Sequence, residues 1–210
     1  MKFYDVSLLL DNATPIYPNN PQFSLNRVNS IPKDTSNVSS IQMGSHFGTH
    51  IDAPRHFDNN ATSIDQIYPD RFIGECNVVD LTSEDEAVTV DALKNKNITK
   101  DILVLKTKNS VYGYTNFNEN FIYISDDAAE YIKDLGVRFV ATDGYSVKKF
   151  RTPDFVHKYF FKNDIVIAEG LNLINVQEDE YLLIALPLKI KDGDASPARI
   201  ILIKDFSYGK

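Results

Sequence analysis

Ten short runs along the chain carry the β-branched and aromatic content of strands, with turn-forming residues between them. They are Phe3–Leu9, Phe23–Val28, Val38–Met43, Cys76–Leu81, Ile102–Lys106, Phe121–Ile124, Val137–Thr142, Ile165–Ala168, Tyr181–Leu186 and Arg199–Ile203. Helical signals are fewer. Ser125 suits an N-cap, Asp126 and Asp127 suit the positive end of a helix dipole, and Gly136 suits the C-terminal cap after Leu135. A short helix is predicted after Thr89, from Val90 to Asn95. A third is predicted to start at Thr152, with Pro153 at the first helical position, where the missing N–H costs nothing. It carries Phe155, His157, Tyr159 and Phe160. The pattern predicts an α/β fold: a mixed sheet or barrel-like β core with helices packed outside.

Length and composition narrow the class. The 210 residues suit one domain spanning 1–210 better than two. Apolar residues at 43% and charged residues at 24% are the proportions of an ordinary water-soluble domain. The net charge is −7, and no block of Lys and Arg appears, so the positive footprint of a nucleic-acid binder is missing. The single cysteine, Cys76, cannot form an intramolecular disulfide. The opening MKFYDVSLLLDNATP has too short an apolar stretch for a signal peptide. No apolar run approaches the roughly 20 residues that span a bilayer. The expectation is a cytoplasmic protein without a membrane partner.

Chemistry concentrates in one window. Of the four histidines, three lie in GSHFGTHIDAPRHF, with Asp52 among them. Imidazole and carboxylate together suit a divalent metal in a catalytic site. On an extended strand, His46, Gly48, His50, Asp52, Pro54 and His56 share one face, while Phe47, Thr49, Ile51 and Ala53 take the other. A helix would align His46 with His50 but leave Asp52 off the face, and Gly48 and Pro54 oppose it. A straight strand would hold His46 and Asp52 about 20 Å apart. Metal–ligand bonds of roughly 2.0–2.2 Å cannot close across that gap. The chain must therefore bend, at least cost at Gly48, and Pro54 must redirect it so that His56 returns. A bent strand running into a loop is predicted, with a metal on His46, His50 and Asp52. His157 lies far along the chain. Twelve residues later, Glu169 ends a buried-looking strand before Gly170, where a carboxylate serves either as a ligand or as a solvated charge.

These residues resemble a known family. The run from His46 to His56, HFGTHIDAPRH, is similar to the H-x-G-T-H-x-D-x-P-x-H signature of the cyclase family, which includes bacterial kynurenine formamidase (arylformamidase) and isatin hydrolase. The resemblance covers most of the chain. TPIYPNNPQF resembles the family's T-P-x-[YW]-P-G-D-P segment, with Asn19 and Asn20 standing where Gly-Asp is usual. ATDGYSV resembles its T-D-G-x-S loop, IVIAEGLNL its E-G-L segment, and YLLIALPLKIKDGDASPARIILI its L-P-L-K…G-x-P-x-R ending.

The resemblance implies a swivelling β/β/α fold, a homodimer, and one or two divalent ions of zinc or manganese per chain. It implies that His46, His50 and Asp52 are first-metal ligands and that Asp52, His157 and Glu169 form the second set, with Asp52 bridging. It implies that His56 is the catalytic histidine. The implied activity is amide hydrolysis by metal-activated water, with N-formyl-L-kynurenine giving kynurenine and formate. His56 would act as general acid to the departing amine, a role that imidazole suits because its ordinary pKa lies near neutrality. Glu169 would be a ligand or a proton shuttle. Tyr17 and Phe47 are candidate pocket aromatics, each equally suited to core packing, and Ser146 is a candidate for orienting a substrate carboxylate.

Three alternatives stand beside this reading. A cyclic-amide (isatin-type) hydrolase or another amidase would keep the site and change the substrate. A mononuclear non-haem iron enzyme with a 2-His-1-carboxylate triad would leave His56, His157 and Glu169 unexplained. A closed structural metal site would hold four protein ligands and no water.

Overall fold

The computed structural model describes residues 1–206. The strands in chain order are β1 (Lys2–Asp5), β2 (Ser24–Asn29), β3 (Val38–Gln42), β4 (His50–Asp52), β5 (Ile73–Asp80) and β6 (Ala87–Val88). They continue with β7 (Ile102–Lys106), β8 (Tyr123–Ile124), β9 (Phe139–Thr142), β10 (Val166–Glu169), β11 (Asp179–Pro187) and β12 (Ala195–Lys204). The helices are α1 (Val90–Lys94), α2 (Lys108–Tyr112), α3 (Asp126–Asp134) and α4 (Val156–Lys162).

Seven strands close into a barrel in the order β4, β12, β11, β5, β7, β9, β10. Closure depends on β4, a strand of three residues that pairs antiparallel with β10 on one edge and β12 on the other. Strands β5, β7, β9 and β10 run parallel, and β1 extends the sheet along the far half of β12. The predicted barrel-like β core with outer helices is the observed fold.

The parallel strands are buried on both faces, as covered parallel sheets require. Alternation along them divides the core. Cys76, Val78, Ile102, Val104, Phe139, Ala141, Val166 and Ala168 fill the barrel interior. Val79, Leu103, Leu105, Val140 and Ile167 face outward, onto Ala128, Ala129 and Ile132 of α3 and Val156 and Phe160 of α4. The predicted caps hold for two helices. The Ser125 hydroxyl accepts from Ala128 N, and the Thr89 hydroxyl accepts from Ala92 N.

Several boundaries differ from expectation. Helix α4 begins at Val156, so Pro153 is not its first position and Thr152 does not cap it. The Thr152 hydroxyl donates instead to Lys149 O, and Asp154 takes the free His157 N–H at 3.1 Å. The first strand ends at Asp5, four residues early, leaving only an isolated bridge between Ser7 and Leu171. Residues 123–124 belong to a separate two-stranded ribbon with β6. Helix α2, capped by Thr107, gives no periodic signal in five residues and was not anticipated. Among the described residues no helix is long and apolar enough to cross a membrane.

Candidate metal centre

The histidine window is a turn followed by a strand. Residues 46–49 form turns and bends, and only His50–Asp52 is strand, so the predicted bent strand is shorter than expected. The bend falls at Gly48, whose φ of +65° suits glycine. A Cβ on Gly170 would lie 2.6 Å from Gly48 O, so the two glycines let the turn and the end of β10 touch. Thr49 pins the same junction: its hydroxyl donates to Gly170 O at 2.6 Å and accepts from Leu8 N at 2.8 Å. Beyond the turn, alternation does the sorting. Ile51 and Ala53 enter the barrel core, which leaves His50 and Asp52 on its outer face. Register sets Glu169 of β10 beside His50, and α4 supplies His157 from above. Pro54–His56 then forms a 3-10 turn that returns His56 to the cluster, as predicted from Pro54.

Asp52 is the hub. Its Oδ1 lies 2.8 Å from His46 Nδ1 and 3.3 Å from His50 Nε2, and its Oδ2 lies 3.5 Å from His157 Nε2. Glu169 closes the other side, with Oε1 3.0 Å from His157 Nε2 and Oε2 3.4 Å from His50 Nε2. Val147 N donates to Glu169 Oε1 at 2.7 Å and fixes that carboxylate from the loop after β9. Two triads of ligand atoms therefore share Asp52: His46, His50 and Asp52, and Asp52, His157 and Glu169. Within each, the atoms lie within 4.8 Å of one another. A third triad comprises His46, His56 and Asp194.

Opposed charge governs the protonation of this cluster. Burial alone would keep the imidazoles neutral, but the adjacent carboxylates outweigh it. Asp52 and Asp194 raise His46 to about 9, and Asp52 with Glu169 raises His50 to about 10. His157 is likewise raised, against burial, by Asp154, Asp52 and Glu169. Burial would raise Asp52, yet His46 and His50 hold it well below the usual carboxylate range. A metal entering at neutral pH would have to displace these protons, because its ligands must be deprotonated.

The donor set fits a divalent ion. His50 Nε2 and both oxygens of Asp52 are buried and satisfied by no hydrogen bond. Each buried unsatisfied group costs about 1–3 kcal/mol, and here three converge on one point. A cation accepts those lone pairs where the protein supplies no donor of suitable geometry. Imidazole and carboxylate without thiolate suit zinc, manganese or iron.

The cluster floors a cavity of about 400 Å³. Tyr17 and Ser146 line it, as does His56, whose side chain is 32% exposed. Phe47 does not line it; the ring is buried and stacks on Phe23 at 5.5 Å, the core role weighed for it. Phe57, Tyr145 and Lys148 also line the wall and were not anticipated. Asn20 lines it too, and Asn19 beside it takes φ +73°, a conformation suited to the glycine it replaces in the resembled segment. Asp154 and Asp194 were missed as well. Asp154 had a local signal, three residues before His157 at a helix start. Asp194 had none, because only the pairing of β12 with β4 brings it to the site.

Known proteins resemble this chain in sequence and fold. The family model described as "Putative cyclase" matches residues 4–149. A kynurenine formamidase from Geobacillus thermodenitrificans is 34% identical over 202 residues, covering 95% of this chain and 96% of the relative. A solved structure described as "Potential Metal-Dependent Hydrolase With Cyclase Activity" superposes with a TM-score of 0.84 at 34% identity, covering 96% of each chain. An isatin hydrolase bound to thioisatinate shares the fold, with a TM-score of 0.84 at 20% identity over 96% of this chain and 91% of that one.

Proposed function

The chain belongs to the cyclase family, and on that premise we propose that it is an arylformamidase that cleaves N-formyl-L-kynurenine to kynurenine and formate. Its relatives make it a hydrolase of C–N bonds outside peptides. The observation that carries the reading is the unsatisfied Asp52 carboxylate, ringed by three imidazoles, at the floor of an open cavity. A closed structural site would leave no room for substrate. Three histidines and two carboxylates also exceed the needs of a single 2-His-1-carboxylate iron centre.

His46, His50 and Asp52 would hold one divalent ion, zinc or manganese, and Asp52, His157 and Glu169 a second. When bound, such an ion supplies Lewis acidity and lowers the pKa of water toward about 7. The chain's own residues do the rest. Tyr17, Phe57 and Tyr145 offer an aromatic wall for an aryl amide, and the Ser146 hydroxyl offers a hydrogen bond to its polar end. His56 carries the proton: it accepts one as water adds to the formyl carbon and returns it to the aniline nitrogen as the C–N bond breaks.

His56→Ala should keep metal content near wild type and lower kcat by about 10²–10⁴, the usual share of general acid–base catalysis. Elemental analysis beside steady-state kinetics checks this. Loss of metal would make His56 a ligand instead. The substrate is tested by comparing kcat/KM for N-formyl-L-kynurenine, isatin and simple acyl amides on metal-loaded protein. The formyl arylamine should lead, whereas a preference for isatin would move the chain to cyclic amides.

A further inference from the structure

Each histidine of the metal centre turns one ring nitrogen toward the Asp52–Glu169 pair and ties the other elsewhere. His50 Nδ1 meets Gly48 O at 2.9 Å, which leaves Nε2 facing the centre. His157 Nδ1 meets Asp154 Oδ2 at 2.9 Å, which again leaves Nε2 inward. His46 is reversed. Its Nδ1 faces Asp52 at 2.8 Å, and its Nε2 meets Asp194 Oδ2 at 2.9 Å. A neutral imidazole carries one N–H and one lone pair, and the partner of the tied nitrogen decides which is which. A carbonyl or an ionised carboxylate can only accept, so once a cation takes the lone pair of the inward nitrogen, the remaining N–H points to the outer acceptor.

We infer that Asp194 is the positioning residue of the first metal subsite: it accepts the Nε2–H of His46 and so presents Nδ1 as the ligand atom. This rests on the reading of the cluster as a metal centre. The carboxylate is well placed for the task. Its main chain is pinned, because Asp194 O accepts from Ala53 N at 2.9 Å and the next residue registers with Asp52. Ser45 Oγ donates to the same oxygen at 3.2 Å. That oxygen also lies 3.8 Å from His56 Nδ1, and the His46 and His56 rings are 4.1 Å apart. One carboxylate thus sets a metal ligand and steadies the proposed proton carrier. An ion held by His46, His56 and Asp194 would demand the opposite tautomer at His46, with the proton on Nδ1 against Asp52.

The tautomers can be read directly. With only four histidines in the chain, a two-bond ¹H–¹⁵N spectrum of zinc-loaded, ¹⁵N-histidine protein is assignable. One metal-bound ring should carry its proton on Nε2 and two should carry it on Nδ1. Asp194→Ala should lose about 10–100-fold in zinc affinity by chelator competition, the usual cost of losing such a support. Asp194→Asn, which keeps an acceptor oxygen, should stay within about 10-fold of wild type. Three bound rings alike, a His46 proton on Nδ1, or wild-type zinc affinity in Asp194→Ala would each overturn the assignment while leaving the metal centre standing. A wild-type chain that binds no zinc would instead remove the centre, and this assignment with it.

Discussion

Asp52→Asn should empty the candidate metal centre and take turnover with it. The side chain keeps its size, and β4 keeps its backbone pairing with β10 and β12, so the barrel survives. What changes is charge and donor capacity. An amide offers one weak ligand oxygen where the carboxylate offered two, and its NH₂ is a donor aimed at imidazoles that must themselves face a cation. Because Asp52 belongs to both ligand triads, neither survives the change. The loss in metal affinity should exceed the roughly 10–100-fold that follows removal of a supporting residue. Elemental analysis after gel filtration should find the variant nearly metal-free, with its far-ultraviolet circular dichroism unchanged. Full occupancy would contradict a shared carboxylate.

Much of this site is legible in the sequence, for local reasons. Strand parity separated His50 and Asp52 from Ile51 and Ala53, and β4 obeys it. A distance argument demanded a bend near Gly48, and the left-handed glycine supplies it. Parity does not govern residues 46–49 or 54–56, which lie in turns rather than on the strand, and His46 reaches Asp52 because the chain folds back. Hydrophobic runs located the parallel strands because these are buried on both faces and read as continuous apolar segments.

The residues that escaped are those whose role depends on pairing between distant segments. Asp194 resembles any solvated loop aspartate until β12 registers with β4, 142 positions away at Asp52 and Asp194. Thr49 and Gly170 carry no chemistry of their own, yet they weld the histidine turn to the end of β10, and only the closed barrel reveals that contact. The start of α4 was misplaced because Thr152 and Pro153 form a plausible helix opening. The competing acceptor, Asp154, is drawn two ways at once, to the His157 N–H and to its ring.

The second large effect is removal of the metal itself, and it bears on the central claim that this hydrolase works through the Asp52 cluster. With the metal gone, the cavity walls and His56 remain, but among the described residues nothing supplies a strong electrophile at the Asp52 hub, where carboxylates and imidazoles are all donors of lone pairs or protons. Positioning and proton transfer alone should leave a small residue of the activity. The decisive measurement is therefore hydrolysis of N-formyl-L-kynurenine by chelator-stripped protein, before and after zinc or manganese is returned separately. Turnover should vanish on stripping and return with one of the two ions. Undiminished turnover by protein confirmed to be metal-free would contradict the account.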